Sequence, residues 1–86
     1  MKIARTELFK KDHKKLPEKI KERADKAFYY LVTNPDYPSL RIKKIKSVRN
    51  IWEASITKKY RLSFQKINAA YVLRRIGKHD VVLKKP

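Results

Sequence analysis

The sequence contains no cysteine, a single glycine (Gly77) and two histidines. The lack of cysteine excludes disulfides and every zinc motif that uses cysteine, and it fits a reducing compartment. Two isolated histidines are too few for a histidine-based metal site, so we expect neither a metal nor another cofactor. The longest wholly apolar run, residues 27–32, is far too short to span a bilayer. Residues 1–11 contain no apolar core like that of a secretion signal, so we expect a cytoplasmic protein.

Acidic residues are also scarce, because 24 lysines and arginines face only 8 aspartates and glutamates, which gives a formal charge of +16. A domain this basic is expected to bind a polyanion, since self-repulsion otherwise only destabilises the compact state. Nucleic acid is the first candidate, an acidic protein the second, and an anionic membrane surface a distant third. The 42% of hydrophobic residues argues against disorder, and 86 residues correspond to one domain, 1–86, with a modest core.

The N-terminal half shows helical periodicity. "MKIAR" predicts a short strand, and "TELFKKDHKKL" predicts a helix that Thr6 caps. "PEKIKERADKAFYYLVTNP" predicts the longest helix, because its apolar residues recur at helical spacing. These residues are Ile20, Ala24, Ala27, Phe28 and Leu31. "TNPDYP" then predicts a loop.

The C-terminal half changes to a period of two, which is typical of strands. "LRIKKI", "IWEASI", "YRLSFQ" and "YVLRRIG" predict four strands, and the short turns between the later ones require antiparallel neighbours. Trp52, Ala54 and Ile56 share one face, which the two helices must cover. The opposite face is polar and carries Glu53, Ser55, Arg61 and Ser63. That face is either simply solvated or a binding surface.

Several short motifs, in one order, resemble a known family. They are "KKLP", "NPDYPSLR", "KKIK", "IWEA", "YRL" and "RIGKHD", and together they extend over nearly the whole chain. In this order they are similar to the RelE/ParE toxin superfamily of toxin–antitoxin systems, and most similar to its RelE-like and YafQ-like branch, which includes plasmid stabilisation proteins. The resemblance implies an α+β fold, with two N-terminal helices on one face of a curved, mainly antiparallel sheet of four or five strands.

The resemblance also implies a function and partners. RelE-like members are ribosome-dependent mRNA endoribonucleases that inhibit translation, whereas ParE-like members inhibit DNA gyrase. A cognate acidic antitoxin binds the toxin, so we expect a toxin–antitoxin hetero-oligomer as well as contacts with the ribosome and mRNA. A catalytically degenerate family member is the remaining alternative.

His79 is the first candidate for catalysis. Metal-independent RNA cleavage uses the 2′-hydroxyl as nucleophile and requires proton transfer, for which the ordinary histidine pKa of about 6.5 is suited. In the YafQ-like branch a catalytic histidine follows a glycine, and His79 matches that position. We expect Gly77 to end the last strand and to let the backbone turn sharply. The plain alternative is a turn histidine paired with Asp80.

Arg61 and Glu53 complete the predicted catalytic set. Arg61 in "YRL" matches the arginine that grips the scissile phosphate in RelE-like toxins, a role that suits a planar fork of donors. Glu53 stands where RelE has a lysine, yet strand parity places it on the Arg61 face, where it is a candidate base. The plain alternative is that Arg61 and Glu53 form an exposed ion pair that contributes little to stability. The predicted RNA-binding residues are Lys44, Lys46, Arg75 and Lys78.

Two features depart from the family pattern. Members of the family that this chain resembles often carry a tyrosine or another aromatic residue in "HDEVY", which serves as a base or a stacking platform in RelE-like toxins, whereas this chain has "HDVVL" and therefore Leu83. This difference predicts weak activity, with the chemistry left to His79 and Glu53. The C-terminus is also short, which predicts that a late helix is missing.

Strand parity places Arg74 and Arg75 on opposite faces, so that only one of them faces the site.

Overall fold

The computed structural model describes residues 2–86, which form one five-stranded sheet with helices on both faces. The elements are β1 (Lys2–Arg5), α1 (Glu7–Lys14), α2 (Glu18–Thr33), a 3₁₀ turn (Pro38–Leu40), β2 (Lys43–Lys44), β3 (Trp52–Ser55), β4 (Tyr60–Ile67), β5 (Ala70–Lys78) and α3 (His79–Lys84). The strand order is β1-β5-β4-β3-β2, with β1 parallel to β5 and the other pairs antiparallel. The predicted α+β class, with two N-terminal helices on a mainly antiparallel sheet, is confirmed. No described helix has the length and apolarity to cross a membrane.

The two long helices begin and pack as their sequences predict. The Thr6 hydroxyl accepts a hydrogen bond from the Phe9 N–H at 3.0 Å and caps α1. The predicted apolar stripe of α2 is buried at Ala24, Ala27, Phe28 and Leu31. It packs in one core with inward residues of the sheet, including Ala54, Leu62, Phe64, Leu73 and Ile76. This core fixes the opposite face of β3 and β4 as the polar face.

Helix α1 closes the edge of β5 where β1 ends. Thr6 donates from its N–H to the Leu73 carbonyl and from its hydroxyl to the Arg74 carbonyl, both at 3.1 Å. Asp12 accepts the Ile76 N–H at 3.3 Å. These three backbone groups of β5 are therefore paired without a further strand.

A β-bulge in β5 overturns the predicted placement of Arg74 and Arg75. The register pairs Phe64 with Leu73 but Ser63 with Arg75, so Arg74 is an extra residue. Arg74 Nε donates to the main-chain oxygen of Pro86 at 3.1 Å, and Arg75 Nη1 donates to that of Lys85 at 3.3 Å. Both side chains therefore contact the C-terminal tail. The prediction of opposite faces is wrong, because the extra residue breaks the two-residue alternation.

The chain also ends differently from the expectation. Strand β5 continues through Gly77, which pairs with Arg61 and has no positive φ, so the glycine does not turn the chain. A late helix is present, since α3 packs on β4 and β5 and buries Val82 completely. A Cβ on Gly77 would meet Val82 Cγ2 at 3.8 Å, an ordinary contact. Here the expectations of a sharp turn and of a missing helix are both wrong.

The C-terminal segment covers part of the polar face. Ser63 is fully buried, and its hydroxyl donates to the main-chain oxygen of Pro86 at 3.2 Å. Glu53 is buried as well, with 6% of its surface exposed. The polar face is therefore not simply solvated.

Candidate functional site

A shallow groove of about 360 Å³ surrounds Arg61 on the polar face, near the β2 edge. Its lining comprises Arg41, Ile42, Lys43, Glu53, Ser55 and Arg61. Strand alternation puts Glu53, Ser55 and Arg61 here, because their neighbours Ala54 and Leu62 point into the helix-covered core. The groove thus combines three cationic side chains with one carboxylate, a composition that suits an anionic ligand.

The Arg61 guanidinium is fixed by main-chain acceptors at the β3–β4 turn. Nη1 donates to the carbonyls of Thr57 at 2.6 Å, Lys58 at 2.9 Å and Tyr60 at 3.1 Å. Nε lies 3.7 Å from Glu53 Oε1. Among residues 2–86, Nη2 has no hydrogen-bond partner. One N–H₂ group of a preorganised arginine is therefore available for a phosphate oxygen.

Glu53 is the buried member of the groove. It pairs across the sheet with Lys43 on β2 and with Ser63 on β4. Its side chain is 7% exposed, against 15% for that of Arg61. The structure brings Glu53 and Arg61 together, as strand parity predicts. At 3.7 Å the contact is an ion pair that holds the arginine rather than a short hydrogen bond.

His79 lies at the same end of the sheet as the Arg61 turn. Gly77 pairs with Arg61, and two residues later the His79 N–H donates to the Lys59 carbonyl at 2.8 Å. The imidazole is 47% exposed, and its Nδ1 lies 3.2 Å from Asp80 Oδ1. The pairing with Asp80 that the plain alternative predicts is present, and the ring remains accessible to a ligand.

The predicted RNA-binding residues do not form one cluster. Lys78 is exposed beside His79, whereas Lys46 lines a separate groove with Lys44 and Arg49. Lys44 pairs with Trp52 on the helix side of the sheet, so it faces away from Arg61. Lys44 thus lies on β2, Lys46 in the turn after it, and Lys78 at the end of β5.

Arg75 is placed in an ion pair inside the molecule. Its Nε lies 2.7 Å from Asp12 Oδ2, and its Nη2 lies 3.2 Å from Asp12 Oδ1. The third nitrogen, Nη1, contacts the Lys85 carbonyl. All three guanidinium nitrogens are occupied, so this arrangement favours a structural role over RNA binding.

Sequence reasoning missed Arg41 and Lys43 at the groove. Arg41 has a left-handed backbone with φ of 46°, directly after the 3₁₀ turn, and only the folded loop shows where it points. Lys43 belongs to the site through its register with Glu53. One sequence signal was available: residues 37–79 contain twelve lysines and arginines but a single acid, Glu53. That segment supplies the whole groove.

Comparison with known proteins supports the fold. No protein-family model matches the sequence, and no curated protein matches it significantly. Among solved structures, the RelB–RelE antitoxin–toxin complex from Methanococcus jannaschii matches with a TM-score of 0.76 and 22% identity, over 96% of this chain and 99% of that chain. YafQ from E. coli strain BL21(DE3) matches with a TM-score of 0.79 and 16% identity, over 93% and 94% of the two chains. The YoeB/ParE toxin from Agrobacterium tumefaciens matches with a TM-score of 0.78 and 14% identity, over 92% and 99%. The chain therefore has the RelE-like toxin fold, which confirms the fold that the sequence resemblance implied.

Proposed function

We propose that this chain is the toxin of a type II toxin–antitoxin system and that it inhibits translation by cleaving mRNA on the ribosome. One observation carries the proposal: the preorganised guanidinium of Arg61, with Nη2 free, lies in a basic groove at the sheet end where His79 is exposed. The fold, shared along nearly the whole chain with the RelE, YafQ and YoeB toxins, supports it.

The proposed reaction needs no metal. The 2′-hydroxyl oxygen attacks the adjacent phosphorus, the bond to the 5′ oxygen breaks, and the products are a 2′,3′-cyclic phosphate and a 5′-hydroxyl. His79 protonates the leaving 5′ oxygen, and solvent accepts the proton of the 2′-hydroxyl. Nη2 of Arg61 donates to the phosphate oxygens on which negative charge develops.

Glu53 acts in this scheme mainly through Arg61. Its carboxylate is almost enclosed and faces two cations, Lys43 across the strand pair and the guanidinium at 3.7 Å. A buried carboxylate in an ion pair is poorly placed to accept a proton from a bulky substrate, so burial favours a positioning role over that of a general base. With Leu83 in place of an aromatic residue, no second base stands beside His79, which accounts for the weak activity that we expect.

Binding of RNA is proposed to be mainly electrostatic. Arg41 and Lys43 flank the groove, and Lys78 is exposed next to His79. Lys44 and Lys46 add positive charge beyond the β2 edge. The net charge of +16 predicts affinity that falls steeply with salt and shows little sequence preference.

An acidic antitoxin is the proposed protein partner, and the cytoplasm the proposed compartment. Solved structures that match this chain include RelB–RelE and DinJ–YafQ complexes, in which a toxin is bound to its antitoxin. A partly disordered acidic segment that folds on binding would neutralise the basic surface. The expected assembly is a toxin–antitoxin hetero-oligomer.

Primer extension in a translation extract tests the proposed function. The mRNA is incubated with the purified protein in the presence of ribosomes and, in parallel, without them. Cuts that appear only with ribosomes, in frame within codons, are the expected result. An intact mRNA would overturn the nuclease proposal. The matched A. tumefaciens protein is described as a YoeB/ParE toxin, so supercoiling by DNA gyrase is the assay to run next in that case.

A further inference from the structure

A second basic feature lies on the sheet face opposite Arg61. Lys66 Nζ lies 4.0 Å from the centroid of the Trp52 ring, and Lys44 Nζ lies 5.4 Å from it. The two lysines reach the ring from the strands on either side, β2 and β4, and we call these three residues the Trp52 clamp. The lysines are exposed, and the tryptophan is half-buried.

The two lysines of the Trp52 clamp lack an ion-pair partner within the described part of the chain. Attraction to the ring holds two ammonium groups within about 10 Å of each other, although like charges repel. Among residues 2–86 no carboxylate lies within ion-pair distance of either lysine. The groove of about 470 Å³ beside Lys44 adds Lys46 and Arg49 and contains no acidic residue, whereas the groove beside Lys66 contains one, Asp36, which forms no ion pair with Lys66. An anionic group between the ammonium groups would relieve this repulsion.

The edge strand connects the clamp to the Arg61 groove. Lys43 pairs with Glu53 and faces the groove, whereas the next residue, Lys44, pairs with Trp52 and faces the clamp. Because β2 is the last strand of the sheet, no further strand separates the two faces at this edge. A flexible polyanion that leaves the groove can therefore cross the edge from Lys43 to Lys44.

We propose that the Trp52 clamp is a second RNA-binding site, which takes the phosphate backbone of an RNA segment that continues over the β2 edge. The continuity of the clamp with the Arg61 groove across the β2 edge favours RNA over an acidic protein, because one flexible polyanion can then place its phosphates at the cations of both sites. The inference rests on the proposed function for its choice of ligand. The test of the clamp measures RNA binding and not cleavage, so the proposed nuclease function and the proposed RNA site at the clamp can fail separately.

Trp52 is the sole tryptophan, so its fluorescence reports directly on the clamp. The full chain is titrated with a 2′-O-methyl uridine oligonucleotide, which lacks the nucleophilic hydroxyl and cannot be cleaved by the proposed reaction. We expect a saturable change in Trp52 emission. The Lys44→Ala/Lys66→Ala variant is expected to bind about 10-fold more weakly, with the slope of log K against log salt reduced by about 1.4 for two lost phosphate contacts.

Lys11→Ala/Lys14→Ala is the matched control, because it removes the same charge from exposed positions on α1, which packs against β5 rather than β3. Its affinity should stay within about 2-fold of the parent's, and circular dichroism verifies that both variants fold. Equal weakening of the two variants would overturn the proposal. So would saturable binding of a labelled oligonucleotide with no change in Trp52 emission.

Two further titrations identify the ligand. Small ribosomal subunits are compared with the free oligonucleotide: if the Lys44→Ala/Lys66→Ala variant loses more affinity for the subunits than for the oligonucleotide, the site belongs mainly to ribosomal RNA, and equal losses assign it to single-stranded RNA. Either result supports the clamp as an RNA site. If polyglutamate changes Trp52 emission at lower concentrations than RNA does, the clamp binds acidic protein and the proposal is overturned. If RNA binds at the clamp but mRNA stays intact in the extract, the proposed function fails and this inference stands.

Discussion

Arg75 and Asp12, 63 positions apart in the sequence, form a two-pronged ion pair with distances of 2.7 and 3.2 Å. The same carboxylate accepts the N–H of Ile76, so it joins α1 to β5 at the point where β1 has ended. Both side chains are mostly buried, with 17% and 13% exposed. This contact closes the sheet edge and fixes the strand that leads to His79.

Asp12→Ala is expected to lower the free energy of unfolding by about 2–3 kcal/mol, because it leaves a largely buried guanidinium and a backbone N–H without their acceptor. Asp12→Asn keeps an acceptor for the Ile76 N–H and should cost less. Urea denaturation measures both. Asp25→Ala removes an exposed acid from α2 and should change stability by no more than about 0.5 kcal/mol. Equal stability of Asp12→Ala and Asp25→Ala would contradict the role of the ion pair.

Arg61 and Glu53 are expected to differ in their effect on cleavage. Arg61→Ala removes the proposed donor to the phosphate and should lower the cleavage rate about 10²–10³-fold. Arg61→Lys keeps the positive charge but lacks the planar fork of donors, so its cleavage rate should lie between those of the parent and Arg61→Ala. Glu53→Gln should cost only about 10-fold, because it loosens the arginine without removing it. Rates come from quantified primer extension, with thermal melts as the folding control. A loss with Glu53→Gln as large as that with Arg61→Ala would instead favour Glu53 as a base.

Leu83→Tyr should raise the cleavage rate. Leu83 is half-buried on α3, four residues after His79, and it stands where the family resemblance implies an aromatic residue. A tyrosine would supply a proton acceptor or a stacking surface next to the scissile bond. Leu83→Phe separates the two, since it can stack but cannot exchange a proton. If neither variant cleaves faster than the parent, position 83 does not account for weak activity.

The loop before Arg41 is held by stacked tyrosines, whose pKa values can be tested. The rings of Tyr30 and Tyr37 stack with centroids 3.9 Å apart and planes at 4°. Charge on Tyr37 raises the pKa of Tyr30 above its ordinary value of 10.0, and desolvation and contact with Tyr29 act in the same direction. Since the folded-state pKa is the higher one, the associated stability is present below pH 10 and is lost as the pH rises through the raised pKa.

Tyr37→Phe should therefore lower the pKa of Tyr30 toward 10.0, as NMR titration of the tyrosine ring carbons would measure. Tyr29→Phe is the control, because Tyr29 contacts Tyr30 edge-on at 5.4 Å and contributes least to the shift. An unchanged Tyr30 pKa in Tyr37→Phe would contradict this assignment.

Local sequence rules predict much of the fold. The Thr6 cap, the buried stripe from Ala24 to Leu31 and the alternation that brings Glu53 to Arg61 all depend on residues close in sequence or on a fixed two-residue period. The family resemblance added the arrangement of these elements. The rules of helix capping, helical periodicity and strand alternation hold wherever the backbone is regular.

The rest depends on contacts that no local pattern encodes. The bulge at Arg74 shifts the parity of β5, and a single glycine in "RIGKHD" indicates a turn although Gly77 continues the strand. Helix α3 has only six residues, yet burial of Val82 against the sheet holds it. Lys44 faces Trp52 rather than the groove because of its register on β2, a two-residue strand.

The most direct test of the central claim compares His79→Ala with Asp80→Asn by primer extension on a translated mRNA. The Asp80 side chain is fully exposed, and its one polar contact among residues 2–86 is with the His79 imidazole, so Asp80→Asn should retain cleavage within a few-fold. His79→Ala should lose about 10²–10⁴-fold, because the leaving oxygen then has no acid, while its melting temperature stays that of the parent. Ribosome-dependent cuts by His79→Ala at the parent's rate would contradict the account.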